Sequence, residues 1–182
     1  MTTLTVYHAK DGSVARAATN DMNAIIRELQ KIDILMERWP VRPLAVNADS
    51  KAVLDTYAGE IDRLNRQYNF VTVDAIRLMP NAANAKEMRE KFLSEHTHDD
   101  DEVRFFVEGS GSFYIRKDDL VHQIICTQGD LISVPRGVKH WFDTGSPPYF
   151  AVVRFFTNPK GWEAVFTGDD VARRVPLYEQ AA

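Results

Sequence analysis

A series of short segments after Phe70 limits most strongly how this chain can fold. Each segment is rich in β-branched or aromatic residues and is bounded by Gly, Pro, Asp or Asn. The segments read FVTVDAIRL, VRFFVEG, GSFYIRKDD, LVHQIICTQGD, LISVPRG, VKHWFD and YFAVVRFFT. Short strands at such intervals are typical of antiparallel sandwiches and barrels rather than of alternating β–α units. We therefore expect a mainly β fold.

Helical patterns precede these strands. In TNDMNAIIRELQKIDILMERWP, apolar residues recur at intervals of three and four, which predicts one helix that begins at a Thr19 or Asn20 cap and ends at Pro40. A second helix is expected after Asp49, and ANAKEMREKFL predicts a short third one. The tail predicts another short helix after Gly168. All of these helices are interpreted as packing elements.

Length and composition favour one domain and argue against several classes of partner. The chain has 182 residues, is 45% hydrophobic and carries a formal net charge of -4, without a Lys/Arg block. We expect a single domain over residues 1–182, with a helical N-terminal part at about 19–94 and a barrel core at about 95–157. No signal peptide, membrane span or nucleic-acid-binding surface is predicted. The single cysteine, Cys126, suits a reducing compartment, so we expect a cytoplasmic monomer.

The segment FLSEHTHDDDEVRFFVEGSG combines imidazoles and carboxylates beside a predicted strand. Residues two apart on a strand point to the same face, so His96 and His98 project together, and Glu102 has the same parity. His140 lies in the later segment VKHWFD. Three imidazoles and one carboxylate on neighbouring strands could bind a divalent ion and leave two octahedral positions open for a ligand.

The histidine pair alone is weak evidence, because an H-x-H pair is often a surface or hydrogen-bonded pair. The absence of thiolates argues against copper(I) and iron–sulfur sites, and a closed structural zinc site usually includes cysteine. The acids Asp99, Asp100 and Asp101 are interpreted as a solvated turn. Gly109, which is separated from Glu102 by six residues, and the Gly/Pro-framed turn of GDLISVPRGVKH strengthen the metal-site interpretation.

The two histidine-containing blocks resemble the two motifs of the cupin superfamily. Within it, FLSEHTHDDDEVRFFVEGSGSFYIR and GDLISVPRGVKHWFD resemble the acireductone dioxygenase family, and the resemblance extends through the N-terminal part. This chain has Glu90 where the general cupin motif has Gly, and Thr144 where Asn is frequent. The resemblance implies a cupin-type antiparallel β-barrel (jelly roll). It also implies one divalent metal ion, Fe(2+) or Ni(2+), bound by four residues: His96, His98, Glu102 and His140.

The resemblance also implies an activity. Members of this family oxidise the acireductone 1,2-dihydroxy-3-keto-5-methylthiopentene with O2 in methionine salvage. The iron form produces formate and 4-methylthio-2-oxobutanoate, whereas the nickel form produces CO, formate and 3-methylthiopropanoate. Nitrogen and oxygen ligands suit both ions, so the sequence does not indicate which metal is bound.

Two arginines and three aromatic residues are candidates for contact with the substrate. Arg104 shares a face with Glu102, and Arg154 has inward parity in YFAVVRFFT. A buried guanidinium is costly unless it is paired, so two of them suggest an anionic substrate and a catalytic role. Surface or salt-bridged arginines are the alternative. The aromatic candidates for an apolar wall, for which core packing is the alternative, are Phe92, Phe142 and Trp162.

Two other functions remain open at this point. Another cupin oxygenase acting on a small chelating substrate would share the metal ligands but would not need both inward arginines. A non-catalytic, ligand-binding cupin would keep the barrel. Such sensors usually carry a DNA-binding segment, and the sequence predicts neither a helix-turn-helix nor a basic face.

Overall fold

A computed structural model describes residues 1–46, 48–159 and 163–179. Within these ranges the chain forms eleven strands, four α-helices and a 3-10 helix at Val171–Arg173. The helices are α1 (Met22–Gln30), α2 (Ser50–Thr56), α3 (Ala58–Tyr68) and α4 (Ala85–Phe92). The strands are β1 (Thr3–His8), β2 (Val14–Thr19), β3 (Leu35–Arg38), β4 (Thr72–Leu78), β5 (His96–Thr97), β6 (Glu102–Lys117), β7 (Leu120–Thr127), β8 (Asp130–Val134), β9 (His140–Asp143), β10 (Tyr149–Phe156) and β11 (Val165–Phe166). None of the helices in these ranges is long and apolar enough to cross a membrane.

The long strand β6 belongs to two antiparallel sheets. Its first half lies between β10 and β8, in a sheet ordered β4-β10-β6-β8-β3. Its second half lies between β7 and β9, in a sheet ordered β2-β1-β7-β6-β9-β5-β11. The mainly β, antiparallel architecture expected from the sequence is therefore confirmed.

A bulge allows β6 to pass from one sheet to the other. In the pairing of β6 with β10, Val107 has no partner residue on β10. Gly109 follows two residues later and has a φ of +64°. A side chain at Gly109 would place its Cβ only 1.9 Å from the Tyr149 carbonyl oxygen. The extra residue changes the parity, so that Phe106 and Phe113 both face the interior. Two strand segments predicted from the sequence are thus one continuous strand.

Three apolar layers hold the sheets together. The interior between the sheets contains side chains from both of them and from Ile25 and Leu29 of α1. The outer face of the β4-to-β3 sheet is covered by α2 and α3, and the outer face of the other sheet is covered by the C-terminal segment. The inner layer is closed at one end by polar side chains, and this end contains the candidate site.

The predicted first helix begins within one or two residues of its predicted cap but is wrong at its end. It stops at Gln30, not at Pro40. Asp33 then adopts a left-handed conformation with a φ of 63°, and the following residues form β3, which pairs with β8. Apolar residues such as Met36 therefore alternate along a strand instead of continuing the helical stripe. Pairing with a sheet edge has overridden the local helical pattern.

The other helix predictions need only local corrections. Asp21, rather than Thr19 or Asn20, caps α1, because its carboxylate accepts the backbone N–H groups of the second and third helical residues. Asp49 caps α2 as expected, but Tyr57 divides the predicted second helix into α2 and α3. The third helix, α4, and the short helix after Gly168 are present.

Candidate metal centre and its cavity

Four side chains from two segments of the chain, residues 96–102 and His140, meet at one end of the interior. His96 lies on β5 and is paired with His140 on β9, His98 directly follows β5, and Glu102 begins β6. All four residues are buried, and one nitrogen or oxygen atom from each lies within 4.8 Å of the others. The structure therefore brings together the four residues that the sequence nominates as metal ligands.

The turns of the two sequence motifs are bonded to each other. The backbone N–H of Gly137, which has a φ of 77°, donates to the carbonyl oxygen of His98 at 2.9 Å. The N–H of the neighbouring Arg136 donates to the Asp101 carboxylate at 2.9 Å. The glycine-containing turn before His140 thereby holds the first motif in place beside the second.

The acidic run is not a wholly solvated turn. Asp100 is only 7% exposed, and its carboxylate accepts the backbone N–H groups of Thr157 and Asn158, each at 3.0 Å. The Thr157 hydroxyl also donates to it. Asp100 therefore fixes the segment that follows β10. The prediction that this residue belongs to a solvated turn is wrong, because backbone donors stabilise its buried charge.

Backbone carbonyl groups orient the three histidines in the same way. A carbonyl oxygen can only accept, so each Nδ1 that contacts one carries a proton, and in the neutral imidazole Nε2 then keeps its lone pair. The bonds run from Nδ1 of His96 to Ser94 (2.7 Å), from Nδ1 of His98 to Glu163 (3.0 Å) and from Nδ1 of His140 to Val138 (2.8 Å). All three imidazoles are thus in the tautomer that can bind a cation through Nε2.

The four converging groups fit a divalent metal ion. Oε2 of Glu102 lies 3.0 Å from Nε2 of His98 and 3.1 Å from Nε2 of His140. Each of these short contacts needs a proton or a metal ion between the two atoms, and one divalent ion would satisfy both of them at once. Three imidazole nitrogens and one carboxylate oxygen are a donor set used by first-row transition metals.

The protonation states of His96 and Glu102 agree with cation binding, whereas at His98 burial is outweighed by the contact with Glu102, which raises the pKa, so a metal ion competes with a proton there. Burial lowers the pKa of His96 to about 4, with the nearby His140 adding to the effect, so the imidazole is neutral at pH 7. Burial alone would raise the pKa of Glu102, but the charge of Arg104 and the neighbouring imidazoles hold it well below its usual value. A neutral imidazole and an ionised carboxylate are the forms in which these groups bind metals.

Arg104 is directly bound to the candidate ligand Glu102. Its Nη2 lies 2.7 Å from the Oε1 atom of Glu102, which is the oxygen turned away from His98 and His140. The guanidinium also lies over two aromatic rings, with its carbon 4.5 Å from the ring centroid of Phe142 and 5.3 Å from that of Phe113. Arg104 is 5% exposed, so this charge is stabilised by one carboxylate and by ring faces.

Arg154 lies beside Arg104 and has its own carboxylate. On the shared sheet, Arg154 of β10 is paired with Arg104 of β6 on one side and with Asp74 of β4 on the other. Asp74 accepts from Nε of Arg154 at 2.8 Å and from Nη2 at 2.6 Å. Arg154 therefore faces the cavity and also forms a salt bridge. From the sequence alone, an inward arginine and a salt-bridged arginine are alternatives.

A cavity of about 620 Å³ lies over this site. Of the three aromatic candidates, Phe92 and Phe142 line the cavity, whereas Trp162 lies outside the described residues. The complete lining is Thr72, Asp74, Lys91, Phe92, His96, His98, Glu102, Arg104, Phe142, Arg154, Phe156, Pro159, Glu163, Ala164 and Phe166. Its walls are aromatic and charged, so it could hold a small anion with an apolar end.

Three charged residues of this lining, Asp74, Lys91 and Glu163, were not found by sequence reasoning. Asp74 is an acid inside the strand-like segment FVTVDAIRL, and an acid in such a segment is a signal that something pairs with it. Lys91 lies near the end of α4, and its place beside the cavity carries no signal in the sequence, because it depends on how α4 packs on β9.

Comparisons with known proteins agree with one another. A model of the ARD/ARD′ family matches residues 4–164. The chain is 49% identical over 180 residues to an acireductone dioxygenase of Parvibaculum lavamentivorans, with 98% of each chain covered. It is 46% identical over 181 residues to an acireductone dioxygenase of Aquifex aeolicus, which covers 99% of this chain and 98% of that one.

A solved structure is similar in fold. It is an acireductone dioxygenase from Bacillus anthracis with a cadmium ion in its active centre. The match has a TM-score of 0.79 and 26% identity, and it covers 91% of this chain and 98% of that one. It confirms the fold class that the sequence predicts, and the similarity extends over nearly the whole length of both chains.

Proposed function

The chain belongs to the ARD/ARD′ family, and from this premise we propose that it is an acireductone dioxygenase. The protein oxidises 1,2-dihydroxy-3-keto-5-methylthiopentene with O2 as a step of methionine salvage. The observation that carries this proposal is the convergence of three imidazoles and one carboxylate, of which His96, His98 and Glu102 line a charged cavity. Our proposal also includes a monomer located in the cytoplasm, as expected from the sequence.

One divalent ion is bound by His96, His98, Glu102 and His140, and we propose Fe(2+) or Ni(2+). When bound, an ion with four protein ligands supplies two exchangeable positions and a positive charge for an enediolate. The buried lone pairs of the three Nε2 atoms and the Glu102 carboxylate support this assignment. The donor set suits iron and nickel alike, so either ion can be loaded without any change of ligands.

Arg104 and Arg154 hold the negative charge of the substrate beside the metal site. Arg104 is fixed between Glu102 and the ring of Phe142, and Arg154 is fixed by Asp74. Groups held in this way need no reorganisation when the anion binds, which is the condition for strong electrostatic stabilisation. Both arginines therefore orient the enediolate over the metal site.

The aromatic residues of the cavity hold the methylthio end and exclude water. Phe92 and Phe142 line the cavity, and Phe156 and Phe166 are further lining residues that the sequence did not single out. Trp162 belongs to the proposal on sequence grounds alone. Aromatic rings beside two cations suit a substrate with a charged head and a thioether tail.

A product assay tests the proposed function. Purified protein loaded with Fe(II) is given the synthetic acireductone under air, and formate and 4-methylthio-2-oxobutanoate are measured against a blank without protein and against metal-free protein. We expect both products only with the loaded protein. Product levels equal to those of the blank would favour the two alternatives, a cupin oxygenase with another substrate or a ligand-binding cupin.

A further inference from the structure

Three cations line the cavity, and only two of them have a carboxylate partner. Arg104 is bound to Glu102 and Arg154 is bound to Asp74. Lys91 forms no ion pair with any residue in the described ranges, and its recorded contact is the ring of Phe92, 6.0 Å from Nζ. Among the three cavity cations, Lys91 is therefore the one whose positive charge is least compensated by carboxylates of the described residues.

The other carboxylate of the lining does not neutralise Lys91. Glu163 lies on the cavity wall, but its recorded bond is made by its backbone oxygen, which accepts from His98 at 3.0 Å. No ion pair joins Glu163 and Lys91, although both belong to the described part of the chain. The charge of Lys91 thus remains available to a ligand.

The end of α4 that carries Lys91 is fixed relative to the metal centre. Arg89, one turn before Phe92, donates from Nε and Nη2 to the carboxylate of Asp143 at 2.7 and 3.0 Å. Asp143 is fully buried on β9, three residues after His140, and it also accepts the N–H of Tyr178 at 3.0 Å. The strand that bears a candidate ligand therefore also anchors the helix that presents Lys91.

We propose that Lys91 determines specificity for an anionic substrate by attracting and binding it at the mouth of the cavity. The inference rests on the proposed function, because the acireductone enters as an enediolate. An exposed ammonium beside a cavity whose arginines are already paired raises the local concentration of anions and favours them over neutral analogues. Lys91 is exposed, so its substitution leaves the core unchanged.

Lys86 offers a matched control on the same helix. It is also exposed, but it contacts Glu90 at 3.9 Å and lines a different cavity. The variants are Lys91→Met, Lys91→Glu, Lys86→Met and Lys86→Glu, each loaded with Fe(II). Metal content and the thermal midpoint are measured for every variant, and we expect both to match the wild type.

The first measurement is kcat/KM as a function of salt. Between about 0.01 M and about 1 M salt the Debye length falls from roughly 30 Å to roughly 3 Å, so a steering charge is screened. We expect Lys91→Glu to lower kcat/KM by a factor of roughly 3 to 10 at low salt, to flatten its salt dependence and to leave kcat nearly unchanged. Both Lys86 variants are expected to behave as the wild type.

The second measurement is equilibrium binding without turnover. The probe is 4-methylthio-2-oxobutanoate, an anion with the same methylthio end, titrated calorimetrically under nitrogen. We expect Lys91→Met to raise its Kd by a factor of roughly 3 to 10 and Lys86→Met to leave it unchanged.

The outcomes separate this inference from the proposed function. Wild-type turnover together with unchanged salt dependence and unchanged anion binding in the Lys91 variants would overturn the role of Lys91 and leave the function intact. Failure of the wild type to oxidise the acireductone would overturn the function. In that case the keto-acid titration still decides whether Lys91 binds an anion.

Discussion

Phe142 and Arg104 lie face to face, with the guanidinium carbon 4.5 Å from the centroid of the ring. The Cζ edge of the ring lies against Gly111, and the guanidinium contacts Glu102 at 2.7 Å. Consecutive contacts therefore connect the backbone of β6 to a proposed metal ligand. This row consists of Gly111, Phe142, Arg104 and Glu102. A small displacement at its glycine end is transmitted to the carboxylate, since the intervening groups are buried and closely packed.

Gly111→Ala should disturb this row. A Cβ at Gly111 would lie 2.4 Å from Cζ of Phe142 and 2.8 Å from its Cε2, so the ring must shift and its contact with Arg104 must change. We expect a loss of about 1–3 kcal/mol in the free energy of unfolding, measured by urea denaturation, together with reduced kcat/KM. The control is Gly59→Ala in α3, where a Cβ has nothing within 4 Å. It should gain about 0.5–1 kcal/mol, and a Gly111→Ala protein as stable as the wild type would refute the packing argument.

Loss of a proposed ligand should remove the metal. His98→Ala or His140→Ala eliminates one of the converging Nε2 atoms, and we expect substoichiometric metal and no turnover in each variant. Metal content is measured by mass spectrometry after dialysis. His8→Ala removes an exposed histidine outside the site and should retain metal and activity. Stoichiometric metal in both site variants would show that the four-ligand assignment is wrong.

Replacement of the cavity arginines should affect the substrate more than the fold. We expect Arg104→Ala and Arg154→Ala to bind metal but to lose kcat/KM corresponding to about 2–5 kcal/mol, because each removes a fixed charge beside the enediolate. Arg77→Ala is the matched control, since Arg77 forms a two-bond ion pair with Glu108 on the same sheet but outside the cavity. It should lose stability without losing kcat/KM. Near-normal kinetics in both cavity variants would assign the arginines a purely structural role.

The candidate ligands could be selected from sequence because strand parity is a local rule. His96 and His98 are two residues apart, and the Gly/Pro turn before His140 is also visible in the sequence. Yet Glu102 is not on the same strand as His98, because residues 99–101 leave the sheet between them. Strand parity and the resemblance to a known family nevertheless indicated the same four residues.

The rest of the cavity depends on contacts between distant elements. Asp74 faces Arg154 only because β4 pairs with β10 in one register, and a shift of one residue would turn Asp74 away. Met36 lies on a strand because β8 has a free edge for it, although its spacing favours a helix. These strand pairings depend on the order and register of the whole sheet, so the sequence of a single strand does not predict them.

His122 should make the protein sensitive to acid. Burial lowers the pKa of His122 below its usual 6.5, and Arg16 of β2 adds to this, although Glu28 of α1 lies 3.8 Å from Nε2. The unfolded chain therefore takes up a proton at a higher pH than the folded one, so stability is complete above 6.5 and is lost as the pH falls below that value. In urea unfolding at about pH 7.5 and about pH 5, His122→Asn should lose less stability on acidification than the wild type. An equal loss in both proteins would contradict a depressed pKa.

The final prediction is that the metal, and not the polypeptide, decides the product. The three imidazoles and the carboxylate are borderline or hard ligands, so affinity rises from iron to nickel along the usual divalent order with no change in the ligand set. Arg104, Arg154 and the aromatic wall are the same in both forms, so a difference in products has to come from how the ion orients the bound enediolate. One preparation is stripped of metal, divided, reloaded with Fe(II) or Ni(II), and given acireductone and air. We expect carbon monoxide and 3-methylthiopropanoate only from the nickel half, and 4-methylthio-2-oxobutanoate only from the iron half. Identical products from both halves would show instead that the protein's own charges set the position of oxygen attack.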